Sequence, residues 1–364
     1  MKILHVYKSF FPETSGGVEK AILQIYKNSK KINIENELFI LGKQKKIYRK
    51  YSFQGLKIHS IKKNFTISSC PFSLHAFRYF KKISKNFDII LFHYPWPFMD
   101  LLAINKNKNC KYILYYHSDI IKQKILLVFY YYLRKLFFKV QDIILFSSKR
   151  YYNSSPFLKN LKNKKIQINL SLDENDYKIN KKQILRYKKK YGKNFILFVG
   201  VIRNYKGIDE LIKAAKFTKN KIIIAGYSQL ISQYKKICKI KKIKNVDFIG
   251  KVSEKKKIAL LKLCLCTILP SIKRSEAFGL FLIESCIFRK PMISTNLGTA
   301  TSYINIHKKT GFVAKPKDPI ALTKYMNYFT RNPEIAKKMG ENAYYRYKSK
   351  FNNKPMLKFL NNLK

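Results

Sequence analysis

Two carboxylates stand eight positions apart in Glu276-Ala-Phe-Gly-Leu-Phe-Leu-Ile-Glu284, in a chain with only 20 acidic residues. The segment after Gly279 reads as a helix start. Eight residues of helix rise about 12 Å. A hydrolase needs its two carboxylates closer, roughly 5–5.5 Å apart for retention and about 6.5–9.5 Å for inversion. The longer span suits one carboxylate on a sugar and the other on the ribose of the same nucleotide sugar. Between them, Phe278, Gly279 and Leu280 place backbone amides at a helix N-terminus. That end favours a diphosphate by roughly 0.3–1 kcal/mol. Two ordinary helix-surface glutamates are the plainer alternative.

Other segments bear charge or freedom in places where a ligand is bound. Gly200-Val-Ile-Arg203-Asn-Tyr-Lys206-Gly207 follows a strand and opens a helix. Arg203 and Lys206 can neutralise a diphosphate and stabilise it as a leaving group. Ser15-Gly16-Gly17-Val18-Glu19 also joins a strand to a helix, and Gly16 and Gly17 let backbone approach a phosphate or sugar closely. No third glycine follows at dinucleotide-fingerprint spacing. His117-Ser118-Asp119 ends an apolar strand, where a side chain points to the site region of a parallel sheet. His93-Tyr-Pro-Trp96-Pro ends another strand and holds the only Trp. His93 and Trp96 serve either as an acceptor platform or as packing.

These residues need elements to position them. In the first half, Lys2–Tyr7, Glu37–Leu41, Asp88–His93, Lys111–His117 and Asp142–Ser147 read as strands. Val18–Lys30, Phe72–Ser84 and Ile121–Lys139 read as helices. A polar, lysine-rich stretch at Leu172–Lys190 interrupts the pattern. It then restarts with strands at Phe195–Gly200, Lys221–Gly226, Val246–Ile249, Thr267–Leu269, Met292–Ser294 and Gly311–Ala314, and a helix at Ile208–Phe217. Strands alternating with helices imply parallel sheets covered on both faces. The expectation is an α/β protein of two Rossmann-like, doubly wound domains facing across a cleft. Residues 1–174 form the first and 175–343 the second. A helical 344–364 caps the second or crosses back to the first.

Composition bounds the partners. The formal net charge is +55, and lysine is spread from end to end rather than gathered in one stripe. The spread reads as solvated surface lysine. Its functional counterpart is attraction to an anionic membrane surface, about 1 kcal/mol per well-placed lysine. Ile121–Lys139, apolar with flanking cations, reads either as a core helix or as a helix lying on a membrane. No window reaches the roughly 18–20 apolar residues of a membrane span, and Met1–Tyr7 is followed at once by Lys8, so no signal peptide is expected. The six cysteines lack metal-ligand spacing. The chain reads as reduced and cytoplasmic.

Taken together, Glu276-x7-Glu284, Gly200 with Lys206-Gly207, Gly16-Gly17 and His117-Ser-Asp resemble the family-4, or group 1, retaining glycosyltransferases of the GT-B fold. Phe248-Ile-Gly250-Lys-Val-Ser, Ile293-Ser-Thr-Asn-Leu-Gly-Thr-Ala-Thr-Ser-Tyr303 and Thr310-Gly-Phe-Val add to the resemblance. It covers nearly the whole chain. It implies metal-independent transfer from a nucleoside-diphosphate sugar, GDP-mannose being one candidate, with retention and no further cofactor. Glu276 would contact the donor sugar and Glu284 the ribose. Arg203 and Lys206 would hold the diphosphate, which Gly16 and Gly17 approach, and His117 would bind the sugar. Val201 stands where the family often has arginine, and Asn169-Leu-Ser171-Leu-Asp173 replaces the usual Pro-x-Gly-Ile-Asp.

The Leu297–Tyr303 segment resembles members acting in O-antigen or capsule assembly, so the expected acceptor is a lipid-linked or surface polysaccharide precursor. The expected place is the cytoplasm, peripheral to the inner face of the membrane. The alternative is a non-catalytic basic protein binding anionic lipid or nucleic acid. Even charge spread and the lack of a nucleic-acid motif weigh against a nucleic-acid partner. An epimerase or phosphorylase on the same fold is a third reading.

Overall fold

A computed structural model describes residues 1–14, 16–104, 106–120 and 124–363, with the side chains of 124–129 outside that description. Ser15 and the start of the Ile121–Lys139 segment therefore lie outside the described residues. The chain divides into two units, Met1–Ser171 with Asn353–Lys364, and Leu172–Asn352.

The first unit is built on an eight-stranded sheet. Its strands are β1 (Lys2–Val6), β2 (Glu35–Gly42), β3 (Tyr48–Phe53), β4 (Leu56–Lys62), β7 (Ile89–Tyr94), β8 (Lys111–Tyr116), β9 (Ile143–Phe146) and β10 (Lys164–Gln167). A separate hairpin joins β5 (Phe65–Ile67) and β6 (Cys70–Phe72). The order is β10-β9-β8-β7-β1-β2-β4-β3. Every residue of β7 and β9 is buried. Strands covered on both faces read as continuous apolar runs, which is why these two are plain in the sequence. The strand at the β3 edge departs from the all-parallel expectation, because it pairs antiparallel with β4. Gln54 and Gly55 turn the chain with φ of 52° and 89°. Two left-handed residues make the turn that suits a two-residue hairpin.

The helices between these strands are α1 (Gly17–Lys30), α2 (Leu74–Ser84), α3 (Pro97–Ala103), α4 (Lys124–Lys139), α5 (Lys149–Ser154) and α6 (Pro156–Lys159). On α4, Phe137 and Phe138 are buried while Tyr132 and Leu136 are exposed, so its described side chains divide between core and surface.

The second unit holds a six-stranded parallel sheet of order β13-β12-β11-β14-β15-β16. The strands are β11 (Ile196–Val199), β12 (Ile222–Ala225), β13 (Val246–Gly250), β14 (Cys266–Leu269), β15 (Met292–Thr295) and β16 (Gly311–Ala314). Their helices are α7 (Lys181–Tyr191), α8 (Ile208–Ala215), α9 (Ile231–Ile240), α10 (Glu254–Leu263), α11 (Leu280–Ile287), α12 (Thr301–Ile304), α13 (Pro319–Arg331) and α14 (Pro333–Lys350).

The C-terminal stretch differs from the expected single element at 344–364. Helix α14 runs through Lys350 as part of the second unit. Tyr347 donates its hydroxyl to Leu172 O at 2.9 Å, and Arg346 binds the Tyr303 and Ile304 carbonyls at the end of α12. These bonds hold 344–352 in that unit. Only the last helix, α15 (Lys354–Asn361), joins the first unit, where it buries Met356, Phe359 and Leu360 and packs on α1.

Candidate active site

In the second unit the chain places β12 and β13 on one side of β11, then β14, β15 and β16 on the other. The direction of growth reverses between β11 and β14. Open parallel sheets bind ligands outside the carboxyl ends of the strands at such a switch point. The two loops leaving those ends carry Lys206 and Glu276. Ile272 donates its backbone N–H to Tyr205 O at 2.8 Å, which ties the loops together. Gly207 makes the approach feasible. Its φ is 70°, and a Cβ there would lie 2.0 Å from Pro270 O.

The Lys206 ammonium forms an ion pair with Glu276 Oε2, and the two side chains are 14% and 9% exposed. Ser271 Oγ donates to the same oxygen at 3.1 Å. Burial alone would lower the Lys206 pKa, but the Glu276 carboxylate and Tyr205 beside it hold the ammonium above the ordinary lysine value. Arg203 lies exposed on the same loop. Behind Glu276, Thr299 Oγ1 donates to its carbonyl at 2.8 Å, and Ala300 N donates to Ala277 O at 3.0 Å. The Leu297–Tyr303 segment thus braces the Glu276 loop.

Helix α11 begins at Leu280, with Gly279 at its N-cap and φ of 81°. The expectation of eight helical residues between the carboxylates is corrected here. Glu276–Gly279 is loop, so a helical rise of about 12 Å does not separate Glu276 from Glu284. Phe278 is buried. Neither glutamate is a helix-surface residue. Glu284 is 3% exposed. Its Oε1 accepts from Lys257 Nζ at 2.5 Å and from Tyr177 OH at 3.1 Å. Lys257 also meets Glu254 at 2.6 Å.

In the first unit, growth reverses between β1 and β7, and histidines gather near the carboxyl ends of β1, β7 and β8. His5 Nδ1 lies 3.0 Å from His93 Nε2, and His93 Nδ1 lies 2.9 Å from His117 Nε2. All three rings are buried. Burial lowers the pKa of His5 to about 4 and of His117 to about 3. Burial, followed by the neighbouring His117 and His5, pushes His93 well below the usual value. The loop after His117 is pinned by Asp119, which accepts from Tyr116, Tyr151 and Ser155 hydroxyls at 2.7, 2.9 and 2.6 Å.

Gly16 caps α1 and Gly17 is its first residue. A Cβ on Gly16 would meet Glu19 Oε2 at 2.7 Å, so a carboxylate of the protein's own lies beside this helix start. The acceptor platform at His93 and Trp96 is corrected. Both side chains are fully buried. Trp96 donates Nε1–H to Pro71 O at 3.1 Å, and His93 is the middle of the imidazole row. A cavity of about 1000 Å³, lined by Met1, Lys2, Arg78, Asp88, Asn107 and Cys110, lies at the other end of this sheet, by the amino ends of β1 and β7. It is remote from this chemistry.

Sequence reasoning misses Lys257, Tyr177, Ser271, His5 and Asn36, whose Oδ1 lies 2.9 Å from His5 Nε2. Lys257 is hidden in the run Lys255-Lys256-Lys257, where charge alone distinguishes nothing. His5 leaves one signal, a polar residue inside an apolar strand. Among the described residues, no three His, Cys, Asp or Glu side chains gather as a metal-holding group.

The family profile of glycosyl transferases group 1 matches residues 180–346. D-rhamnosyltransferase WbpZ of Pseudomonas aeruginosa is 36% identical over 352 residues, 96% of this chain and 92% of that protein. O-antigen chain mannosyltransferase C of Escherichia coli is 35% identical over 351 residues, 96% of this chain and 94% of that one. Among solved structures, sucrose-phosphate synthase from Thermosynechococcus elongatus has a TM-score of 0.81 at 14% identity, covering 100% of this chain and 98% of that chain. The chain belongs to the group 1 glycosyltransferases. It is a glycosyl-transferring enzyme with the GT-B fold.

Proposed function

We propose that this enzyme moves a hexose from a nucleoside-diphosphate sugar, with retention and without a metal, to a lipid-linked or surface polysaccharide precursor. Mannose is the first candidate sugar and GDP-mannose the first candidate donor. The relative named for O-antigen mannosyl transfer supports mannose, and the one named for D-rhamnosyl transfer makes rhamnose the second candidate. The observation that carries the reading is the Lys206–Glu276 pair at the sheet's switch point.

In this reading Glu276 binds the donor sugar hydroxyls and Glu284 the ribose. Lys206, with Arg203, neutralises the diphosphate as it leaves, which is electrostatic catalysis without a metal. The backbone around Phe278, Gly279 and Leu280 meets the diphosphate, Gly16 and Gly17 approach it, and His117 contacts the sugar. A peripheral contact with an anionic membrane is supported by α4. Tyr132, 75% exposed, and Leu136 lie on it with Lys135 and Lys139. Among the described residues, no helix is long and apolar enough to cross a membrane.

Calorimetry with GDP, UDP, ADP and dTDP, then with the matching sugar nucleotides, tests the reading. Selective binding of one nucleotide, weakened in Glu284→Ala, is expected, with turnover that survives a chelator. Equal, salt-sensitive binding of all four, unchanged in that variant, would mean that charge alone holds the nucleotide and would remove Glu284 from the donor site.

A further inference from the structure

Four side chains on adjacent strands of the first unit form one hydrogen-bonded row. Asn36 lies on β2, His5 on β1, His93 on β7, and His117 one residue past β8. Those strands are neighbours in the order β8-β7-β1-β2. Asn36 Oδ1 is 2.9 Å from His5 Nε2, and the two imidazole–imidazole contacts follow at 3.0 and 2.9 Å. The ring planes are nearly parallel, 17° and 10° apart, with centroids 5.3 and 5.2 Å apart, so the rings lie edge to edge as in-plane N–H···N bonds require.

The row has a direction, and Asn36 sets it. Asn36 Nδ2 lies 2.9 Å from Ile34 O. A carbonyl only accepts, so the amide faces it with nitrogen and presents oxygen to His5. His5 Nε2 is then the donor. A neutral imidazole carries one N–H, so His5 Nδ1 is an acceptor and His93 Nε2 must donate to it. His93 Nδ1 is in turn an acceptor, and His117 Nε2 donates. The last atom, His117 Nδ1, is left as a bare lone pair. It is buried and has no hydrogen-bond partner among the described residues. Neutrality of the rings follows from their burial, which lowers the pKa of each. A doubly protonated ring would also turn two N–H groups against each other.

We propose that Asn36, His5 and His93 are positioning residues that lock His117 in its Nε2–H tautomer and so leave its Nδ1 a hydrogen-bond acceptor. The consequence for the donor rests on the reading above, in which His117 meets it. A lone pair accepts from an O–H and repels an anionic phosphate oxygen. The row therefore fixes which end of a nucleotide sugar His117 can recognise.

The test uses the full chain, labelled with ¹⁵N only at its six histidines. Long-range ¹⁵N–¹H correlation spectra near neutral pH report which ring nitrogen carries the proton, and the wild type needs no variant to fold. One neutral form with Nε2–H is expected at His5, His93 and His117. An Nδ1–H form or a charged ring at His117 overturns the proposal. Asn36→Leu removes the oxygen that orients the row. It is expected to populate Nδ1–H at His117 and to lower kcat/KM roughly tenfold, the effect of one lost hydrogen bond. Loss of turnover in Asn36→Leu with the His117 tautomer unchanged would mark Asn36 as merely structural and overturn the relay.

Calorimetry on His117→Phe separates the two ligand groups. The free nucleoside diphosphate should bind as in the wild type, while the sugar nucleotide weakens roughly tenfold. Equal weakening of both overturns the hydroxyl assignment. Should the wild type turn over no nucleotide sugar, the proposed function fails, and the wild-type spectrum still decides the relay.

Discussion

The Lys206 ammonium and the Glu276 carboxylate are paired across the point where the second unit's sheet reverses, and Ser271 donates to the same carboxylate oxygen. Two groups expected to serve different parts of a donor thus form an ion pair with each other. In the proposed reading, a diphosphate at Lys206 would compete with Glu276 for the ammonium and free that carboxylate for the sugar. Glu276→Gln keeps the shape and removes the charge. Its kcat/KM is expected to fall at least roughly a hundredfold. Glu276→Ala should lose turnover as well and also lower stability, because it leaves Lys206 largely buried without its counter-charge. Undiminished transfer by the Gln variant in a single-turnover assay would remove Glu276 from the mechanism.

The second lysine–carboxylate pair separates binding from folding. Lys257 and Glu284 side chains are each 4% exposed. Removing one partner of a buried pair costs about 3–5 kcal/mol. Glu254, which also meets Lys257, should hold the loss toward the low end. Glu284→Ala is therefore expected to lower the denaturation midpoint and weaken nucleotide binding. Adding Lys257→Met should restore much of the midpoint and none of the binding. Recovery of binding in the double variant would mean that Glu284 acts only as the lysine's partner.

The parts of this protein that were legible in its sequence are those where local pattern decides. Ile222–Ala225 and Ile143–Phe146 are buried along their whole length, and buried parallel strands announce themselves as apolar runs. Tyr48–Phe53 has no fully buried residue, so β3 has no such signal. The hairpin turn at Gln54-Gly55 is its only trace. In the site, Lys206, Glu276 and Glu284 are visible because their spacing forms motifs. Their ion pairs are not, since Lys206 meets Glu276 seventy positions along the chain and Glu284 meets Lys257 twenty-seven positions away. The histidine row is still less legible. His5, Asn36, His93 and His117 become neighbours only through strand order and register, which no local spacing encodes.

Trp96 is fully buried and bonded through its indole N–H to Pro71 O. Its ring also packs against Phe98, with centroids 5.6 Å apart. Truncating a buried tryptophan costs about 3–5 kcal/mol. Trp96→Ala should therefore unfold at a markedly lower denaturant concentration, while the folded fraction keeps the wild-type KM for acceptor. Trp96→Phe should lose less, chiefly the bond to Pro71. A raised acceptor KM with an unchanged unfolding curve would return Trp96 to the role of a platform.

The buried imidazoles also set the response to acid. Burial places His5 at about 4 and His117 at about 3 in the folded protein, and His93 well below its usual value. In the unfolded chain each titrates near 6.5. Between those values the unfolded chain binds more protons than the folded one, so stability falls as pH falls. The contribution is complete above about pH 6.5 and is lost progressively toward about pH 4 for His5, and lower still for His117. His5 alone accounts for roughly 3 kcal/mol across its window. The thermal midpoint is therefore expected to change little between about pH 8 and 7 from these groups, and to drop steeply from about pH 6 to 4.5. His5→Gln, which keeps polar atoms but cannot titrate, should start lower and decline less steeply. An equal slope in wild type and variant would mean that His5 takes up its proton without unfolding, and that its ring is open to water in the native state.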